Sequence, residues 1–385
     1  VEQEQLKEQS ETIDNLKNSL EKLEEQDEEL KEFSKTQKEK SELNFNDKKK
    51  LENFIKRQKQ QDEMMKNFNK QLKENLEDFQ KENKEDPFKE NLKQRLEENQ
   101  EQLKKDEELL KELEKLSEKI QKEQLSQKLE ELAKQSKNKK RSLQQLLELT
   151  KRYYVTMKSE KIRLELEELA EEQEKLSEES GENNTKEKQD ELNKKFEEIQ
   201  KELEELRKEN DKLIEPLDVP NDKKKEDDIK KEQQEASENL EKKEQSPNQE
   251  AKEQQQNDAK KNQKKAAQKM LQMSEQMQQS MMSGSTEQMS EDIDMLRQVL
   301  DNLVLYSFDQ ENVMNKFKSI QVNHNEYAKY LIKQQNLKEH FEHVDDSLFA
   351  LSLRQPTLSE SINKEITEVF FNIDKSLEQL AENRL

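Results

Sequence analysis

Large apolar residues recur at steps of three and four positions along most of the chain, separated by lysine, glutamate and glutamine. This spacing places one apolar stripe on an α-helix turn after turn and is typical of helices that pair in coiled coils. The first stripe runs from Leu6 to Leu30 and the second from Leu51 to Leu76. Helices of similar length joined by short connections favour antiparallel hairpins. We therefore expect an all-α protein built from long antiparallel coiled-coil hairpins.

Breaks in the heptads divide the chain into four predicted segments. In order they are a coiled-coil hairpin (1–86), long helices and coiled coil (87–215), a disordered, charged and Lys-Gln-rich linker (216–265), and a C-terminal helical bundle with a methionine-rich hairpin (266–385). Pro87 disfavours helix at the residue before it and so ends the first segment. Beyond Pro220 the linker offers only Ile229 and Leu240 as large apolar residues, too few to offset the entropy of ordering.

The second segment leaves the number of its helices open. No glycine or proline occurs between Pro87 and residue 180, which favours one very long helix. Shifts in the heptad register and a basic cluster at 137–141 leave room for an interruption at a place that the pattern does not define.

The densest apolar stripe is expected to form the centre of the C-terminal bundle. Its members are Met289, Ile293, Leu296, Leu300, Leu303, Met314 and Phe317. Five further apolar residues between Val299 and Phe308 widen the stripe until the helix is apolar round most of its circumference. A helix of that kind is buried on several sides. We therefore predict that the neighbouring helices pack around Met289–Phe317, with a turn at Ser283–Ser285 before it.

Two local patterns concern helix ends. Thr357 and Glu360 have the form of a capping box, which predicts the start of the last helix. Asn210 falls at a core-type heptad position shortly before Pro216. It is interpreted either as a buried amide that fixes the pairing register, or as a polar residue close to a fraying helix end.

Composition and charge narrow the possible functions. Charged residues make up 42% of the chain and hydrophobic residues 28%, so that only the periodicity separates it from a disordered protein. The net charge of −21 argues against a nucleic-acid partner, because phosphate binding needs a concentrated cationic surface. The absence of cysteine excludes disulfides and thiol chemistry. No apolar run approaches the length of about 20 residues that a membrane-spanning helix needs.

A methionine cluster is the candidate partner-binding site. Its members are Met270, Met273, Met277, Met281 and Met282, most of which share one helix face. Thioether sulfur suits Cu(I), although no histidine or cysteine accompanies the cluster. Methionines also line adaptable grooves that hold partner helices. The third interpretation is a weakly packed first half of a helical hairpin.

A histidine pair is the only other candidate site. His340 and His343 lie three residues apart among acidic residues and could contact one metal ion from a helix face. The simpler interpretation is two surface histidines beside a core stripe that includes Phe341 and Val344. No phosphate-binding glycine loop and no nucleophile–base pattern is present, so we expect no cofactor and no enzymatic activity.

Three stretches carry a resemblance to a known group of proteins. They are Leu143–Glu168, with its Leu-Leu-Glu-Leu-Thr-Lys-Arg-Tyr-Tyr core, Glu291–Leu303, and Phe341–Asp374. They resemble large coiled-coil proteins of unknown function from Bacteroidetes bacteria. This resemblance implies a long cell-envelope protein whose membrane-spanning helices precede an extended helical interior. The chain, which begins at Val1, is then expected to be an internal fragment of such a protein, with its membrane anchor outside the fragment.

Three functional hypotheses follow from these observations. The first is a structural or scaffolding component of a bacterial cell envelope that contacts protein helices, its own or those of other envelope proteins. The second is a binding module whose methionine-rich hairpin holds a partner helix or a soft metal ion. The third is a metal-dependent enzyme that uses His340 and His343. The oligomeric state stays open, because the same heptads serve hairpins within one chain and coils between chains.

Overall fold

The structure is a computed structural model that describes residues 2–39, 44–78, 86–119, 122–179, 181–321 and 324–382. Throughout these residues the regular structure is helical and no strand occurs, which confirms the predicted all-α class. The helices are α1 (Glu2–Glu39), α2 (Phe45–Asp78), α3 (Pro87–Lys119), α4 (Lys122–Glu178), α5 (Lys186–Asn210), α6 (Lys223–Gln245), α7 (Gln249–Ser319), α8 (Tyr327–Ser352) and α9 (Glu360–Ala381). None of these helices combines the length and the apolar character that crossing a bilayer requires.

The helices group into two compact units whose boundaries cross the predicted segments. Unit 1 consists of residues 1–150 together with 291–385, and unit 2 of residues 151–290. Helices α4 and α7 each contribute residues to both units. The sequence left open how many helices the stretch from Pro87 to residue 180 forms. The described residues there form two, α3 and α4. The basic cluster at 137–141 lies inside α4 and does not interrupt it.

In unit 1, helices α1, α2, α3 and the first part of α4 share an apolar core. Its buried members are Leu30, Leu51, Phe54, Ile55, Leu109, Leu110, Leu113, Leu125, Leu129 and Leu132. Ion pairs along α2 and α3 join Lys59 to Glu114 and Lys73 to Glu97, each at 2.6 Å, so the two helices run in opposite directions. Contacts between α1 and α2, and between α3 and α4, show that the helices of each of these pairs also run in opposite directions.

The other part of unit 1 is formed by α7 from residue 291 onward, α8 and α9. Two apolar clusters join these helices, and the first contains Val299, Phe341, Val344, Leu348, Ile366, Phe370 and Ile373. The ring of Phe341 lies between those of Tyr306 and Phe370, with centroids 5.1 and 4.9 Å away. Helix α9 is held against α4 by an ion pair of 2.9 Å between Lys134 and Glu368.

In unit 2, four helical segments surround one core. Residues of α4, α5, α6 and α7 contribute to it, including Ile162, Leu166, Phe196, Leu203, Ile229, Met270 and Met277. The predicted flexible linker over 216–265 is therefore wrong, because α6 and the start of α7 occupy most of it. Ile229, Ala236 and Leu240 are buried on α6, and Ala259, Ala266 and Ala267 are buried on α7. Small side chains thus provide packing that a count of large apolar residues overlooks.

A layer of buried side-chain amides crosses all four segments of unit 2. Gln173 on α4 and Gln189 on α5 exchange hydrogen bonds of 2.8 and 2.9 Å. Gln233 on α6 donates to Gln173 at 3.1 Å, and Gln263 on α7 donates to Gln189 at 2.8 Å. Asn184, in the loop before α5, exchanges hydrogen bonds with Gln263 at 2.8 and 2.9 Å. No member of this amide layer exposes more than 1% of its surface, so these bonds satisfy polar groups that water does not reach.

Both helix-end predictions differ from the structure. Helix α9 begins at Glu360 with Ser359 as its N-cap, so the predicted capping box at Thr357 is wrong. The backbone N–H of Glu360 instead donates to the carboxylate of Glu98 on α3 at 2.8 Å. Asn210 is buried and exchanges two hydrogen bonds of 2.8 Å with the backbone of Leu217. Its amide therefore fixes the loop that follows α5, which is neither of the two roles expected.

Candidate functional site

One side of α7 in unit 1 exposes a run of large apolar side chains. We call it the α7 apolar face; its members are Ile293, Leu296, Leu300, Val304, Leu305 and Phe308, each between 37% and 65% exposed. Single exposed leucines are ordinary in proteins, but an apolar patch that continues over several helical turns is typical of a binding surface.

The side of α7 that packs overlaps the predicted stripe only in part. Buried or half-buried positions are Asp292, Met295, Val299, Leu303, Tyr306, Gln310, Val313 and Phe317. Val299 is 2% exposed while its neighbour Leu300 is 54% exposed. One residue corresponds to a rotation of about 100° on an α-helix, and because Leu303 and Phe317 belong to both sides, the packing side is turned by less than that angle. The prediction that other helices surround Met289–Phe317 is therefore wrong, although Phe317 is buried and Leu303 is half-buried against the core as expected.

Polar pairs at both ends of the α7 apolar face explain this rotation. Asp292 is buried in an ion pair with Arg354 at 2.6 Å. Gln310 and Gln334 of α8 exchange two hydrogen bonds of 2.9 Å. Turning α7 to bury Leu300 would remove these groups from their partners, and a buried polar group without a partner is costly. Polar residues therefore decide which of two apolar stripes faces the core.

The charges near the α7 apolar face differ between its two halves. Glu291, Asp294 and Asp301 are exposed around its first half. Lys316 and Lys318 are exposed in the last turn of α7, where cations are favoured by the helix dipole. The first half, which also exposes Arg297, has a net negative charge, and the second half, which exposes Asp309 and Glu311 before the two lysines, is balanced.

The five methionines of the predicted partner-binding cluster do not share one surface. Met270, Met273 and Met277 are at most 3% exposed and belong to the core of unit 2. Met281 is half-buried and its sulfur accepts a hydrogen bond from the hydroxyl of Ser159 at 3.3 Å. Met282 is 67% exposed. Helix α7 continues through Ser283–Ser285, so the predicted methionine-rich hairpin with a turn there is wrong.

The two candidate histidines lie on the outer side of α8. His340 and His343 are exposed, while Phe341 and Val344 between and beside them are buried. Among the described residues, no group of three or more histidine, cysteine or acidic side chains could hold a metal ion.

Sequence reasoning missed a buried charge cluster in unit 1. The ammonium group of Lys139 on α4 lies 2.5 Å from Asp62 on α2 and 3.0 Å from Asp106 on α3. Burial lowers the pKa of Lys139, but the two carboxylates outweigh this and raise it above its ordinary value. Burial raises the pKa of Asp62, Lys139 opposes this shift, and the nearby carboxylate of Asp106 adds to it. The pattern contains only a hint, namely aspartates at core-type heptad positions.

A second buried polar cluster fastens α9 to α3 and α4. Arg95 of α3 is 2% exposed, lies 3.1 Å from the carboxylate of Glu360 and donates to Gln145 of α4 at 2.5 Å. Gln145 and Asn363 of α9 exchange hydrogen bonds of 3.0 and 2.7 Å. Burial raises the pKa of Glu360, although Arg95 opposes the shift. Because its ion pair and hydrogen bonds join three helices, this cluster specifies how the C-terminal helices of unit 1 dock.

The α7 apolar face thus combines exposed apolar side chains, a polar anchor at either end and a support of packed helices. This arrangement suits the binding of another amphipathic helix along its length. No protein-family model, curated protein or solved structure matches the chain.

Proposed function

We propose that the protein is a non-enzymatic structural or scaffolding component that acts through helix–helix contacts. The observation that carries the proposal is the α7 apolar face, whose six large apolar side chains are exposed on a long and firmly supported helix. Exposing such a face costs solubility, and a partner that covers it recovers the lost hydrophobic free energy.

The same proposal extends to the architecture and the cellular setting. The opposed directions of α1, α2 and α3 and their heptad cores support antiparallel coiled-coil hairpins. The clusters shared by α7, α8 and α9 support a C-terminal helical bundle. The sequence resemblance supports a place in a bacterial cell envelope, with a membrane anchor outside this chain. In that setting, the partners are helices of this or other envelope proteins.

Site-specific photo-crosslinking in the native cell tests the proposal. A photoreactive amino acid replaces Leu300 on the α7 apolar face, and in a control protein it replaces Ile332, an exposed residue of α8. We expect crosslinks from position 300 to a protein segment with heptad spacing, identified by mass spectrometry, and far fewer from position 332. Crosslinks to lipid alone, or no difference between the two positions, would contradict a helix-binding function.

A further inference from the structure

We infer that the α7 apolar face binds the same face of a second copy of this chain, with the two helices antiparallel. This inference rests on the proposed function and names its partner. The face is a single stripe on one helix, so two copies related by a two-fold axis bury it in one isologous interface.

Charge complementarity selects the antiparallel arrangement. In a parallel pair, the acidic first halves that contain Glu291, Asp294 and Asp301 would lie side by side and repel. In an antiparallel pair, the acidic half of one copy approaches Lys316 and Lys318 of the other. Opposite charges across an interface favour the correct register and suppress the wrong one.

One alignment satisfies the charges and the apolar residues together. When Val304 lies opposite its own copy, Arg297 lies opposite Glu311 of the second copy, because both are seven residues from Val304. Leu300 then lies opposite Phe308, since both are four residues away. Two-fold symmetry repeats each pairing, which gives two ion pairs and two apolar contacts around the central valines. Arg297 is exposed, and its existing ion pair of 3.1 Å with Asp294 is also exposed, so exchanging partners costs little.

Other occupants fit the face less well. A membrane surface attracts helices with basic residues beside the apolar face, whereas this face has three acidic residues beside its first half. The face from Ile293 to Phe308 is about 24 Å long at about 1.5 Å per residue. A pair of such faces lies at the low end of specific interfaces, about 1,200 Å² or less. We therefore expect a reversible dimer that depends on concentration.

Sedimentation velocity of the full chain tests the inference. Between about 1 and about 100 µM, a range that brackets a micromolar dissociation constant, we expect a shift from monomer to dimer. Leu300→Asp should remain monomeric with an unchanged helical circular dichroism signal, because Leu300 is exposed in the single chain. Ile332→Asp, which changes an equally exposed residue of α8, should still dimerise.

A charge exchange tests the antiparallel alignment separately. Arg297→Glu should weaken the dimer roughly tenfold, and Glu311→Arg in the same chain should restore it, since the pair is reversed but kept. Failure of the double variant to recover would overturn the alignment. A chain that stays monomeric throughout, or a Leu300→Asp variant that still dimerises, would overturn the inference itself. If the chain is monomeric while position 300 crosslinks to a helix of another protein in cells, only the second copy is excluded and the proposed function stands.

Discussion

The carboxylate of Glu98 on α3 accepts the backbone N–H of Glu360, the first residue of α9, at 2.8 Å. The side chain of the N-cap residue Ser359 contacts the hydroxyl of Ser361 but accepts no hydrogen bond from a backbone N–H of its own helix. A helix from another part of the chain therefore supplies the acceptor that the N-terminus of α9 lacks, and its negative charge is favoured by the helix dipole.

Removing this acceptor should weaken the docking of α9. We expect Glu98→Ala to lower the free energy of unfolding of unit 1 by about 1 kcal/mol, the usual effect of losing an N-cap. Urea denaturation followed by circular dichroism measures the change. Glu101→Ala, which removes an exposed glutamate from the same helix, is the control and should change the free energy by less than about 0.5 kcal/mol. Equal losses of unfolding free energy in the two variants would show that Glu98 contributes only as a negative charge on α3 and not as the cap of α9.

The rotation of α7 predicts opposite outcomes at two neighbouring residues. Val299→Asp places a charge among Phe341 and Phe370, so it should cost several kcal/mol and remove the cooperative melting of the C-terminal helices. Leu300→Asp changes an exposed position and should leave the melting temperature of the monomer within a few degrees of the parent. Thermal unfolding at low protein concentration distinguishes them. The reverse order of effects would support the register that the sequence alone suggested.

Substitutions of buried and of exposed methionines should likewise differ in their effect on stability. Met270→Ala leaves a cavity in the core of unit 2 and should cost about 2–5 kcal/mol of unfolding free energy. Met282→Ala alters a residue that is 67% exposed and should have almost no effect. Chemical denaturation of both variants provides the comparison. A small effect at Met270 together with lost partner binding would favour a methionine groove over a core role.

The buried carboxylate of Asp62 should make stability depend on pH. Burial raises the pKa of Asp62 in the folded protein above its ordinary value of 3.8, so the folded chain holds this proton to higher pH than the unfolded chain. The contribution of Asp62 to the free energy of unfolding therefore falls as pH rises from 3.8 through the folded pKa. Asp62→Asn removes this contribution.

Urea titrations at a series of pH values measure that difference. The free energy of unfolding of Asp62→Asn, taken relative to that of the parent, should rise from pH 3.8 to the folded pKa of Asp62. Above that pH the difference between the two proteins should stay constant. Glu52→Gln makes the same charge change at an exposed position of α2 and should follow the parent at every pH. A variant profile parallel to that of the parent would show that Asp62 titrates alike in both states.

The helical nature of the chain could be predicted because heptad spacing is local and dominates the sequence. Which helices meet could not, since similar leucines and glutamates on every helix fit many partners equally well. The error at residues 216–265 has a specific cause. Helix α6 buries Glu226, Gln233 and Ser237 beside Ile229, and these polar residues pack only because partners on other helices satisfy them.

The candidate surface was misjudged for a related reason. The sequence shows two adjacent apolar stripes on α7 but contains no local sign of which one faces the core. That choice depends on Arg354 and Gln334, which lie beyond the end of α7 and are brought to Asp292 and Gln310 only by folding. The clusters around Lys139 and Arg95 were equally hidden, because each draws its members from three helices.

The amide layer of unit 2 has a consequence for how the chain avoids folding traps. If one helix slid by a heptad, its leucines would still meet leucines, so apolar packing alone would tolerate the error. The glutamine of the sliding helix would then leave the amide layer, and it and its direct partners would lose hydrogen bonds at a cost of about 1–3 kcal/mol for each buried group left unpaired. Several such losses approach the whole stability of a small domain. A misaligned bundle is therefore less stable than the native one, and the amide layer favours a single register in a repetitive sequence.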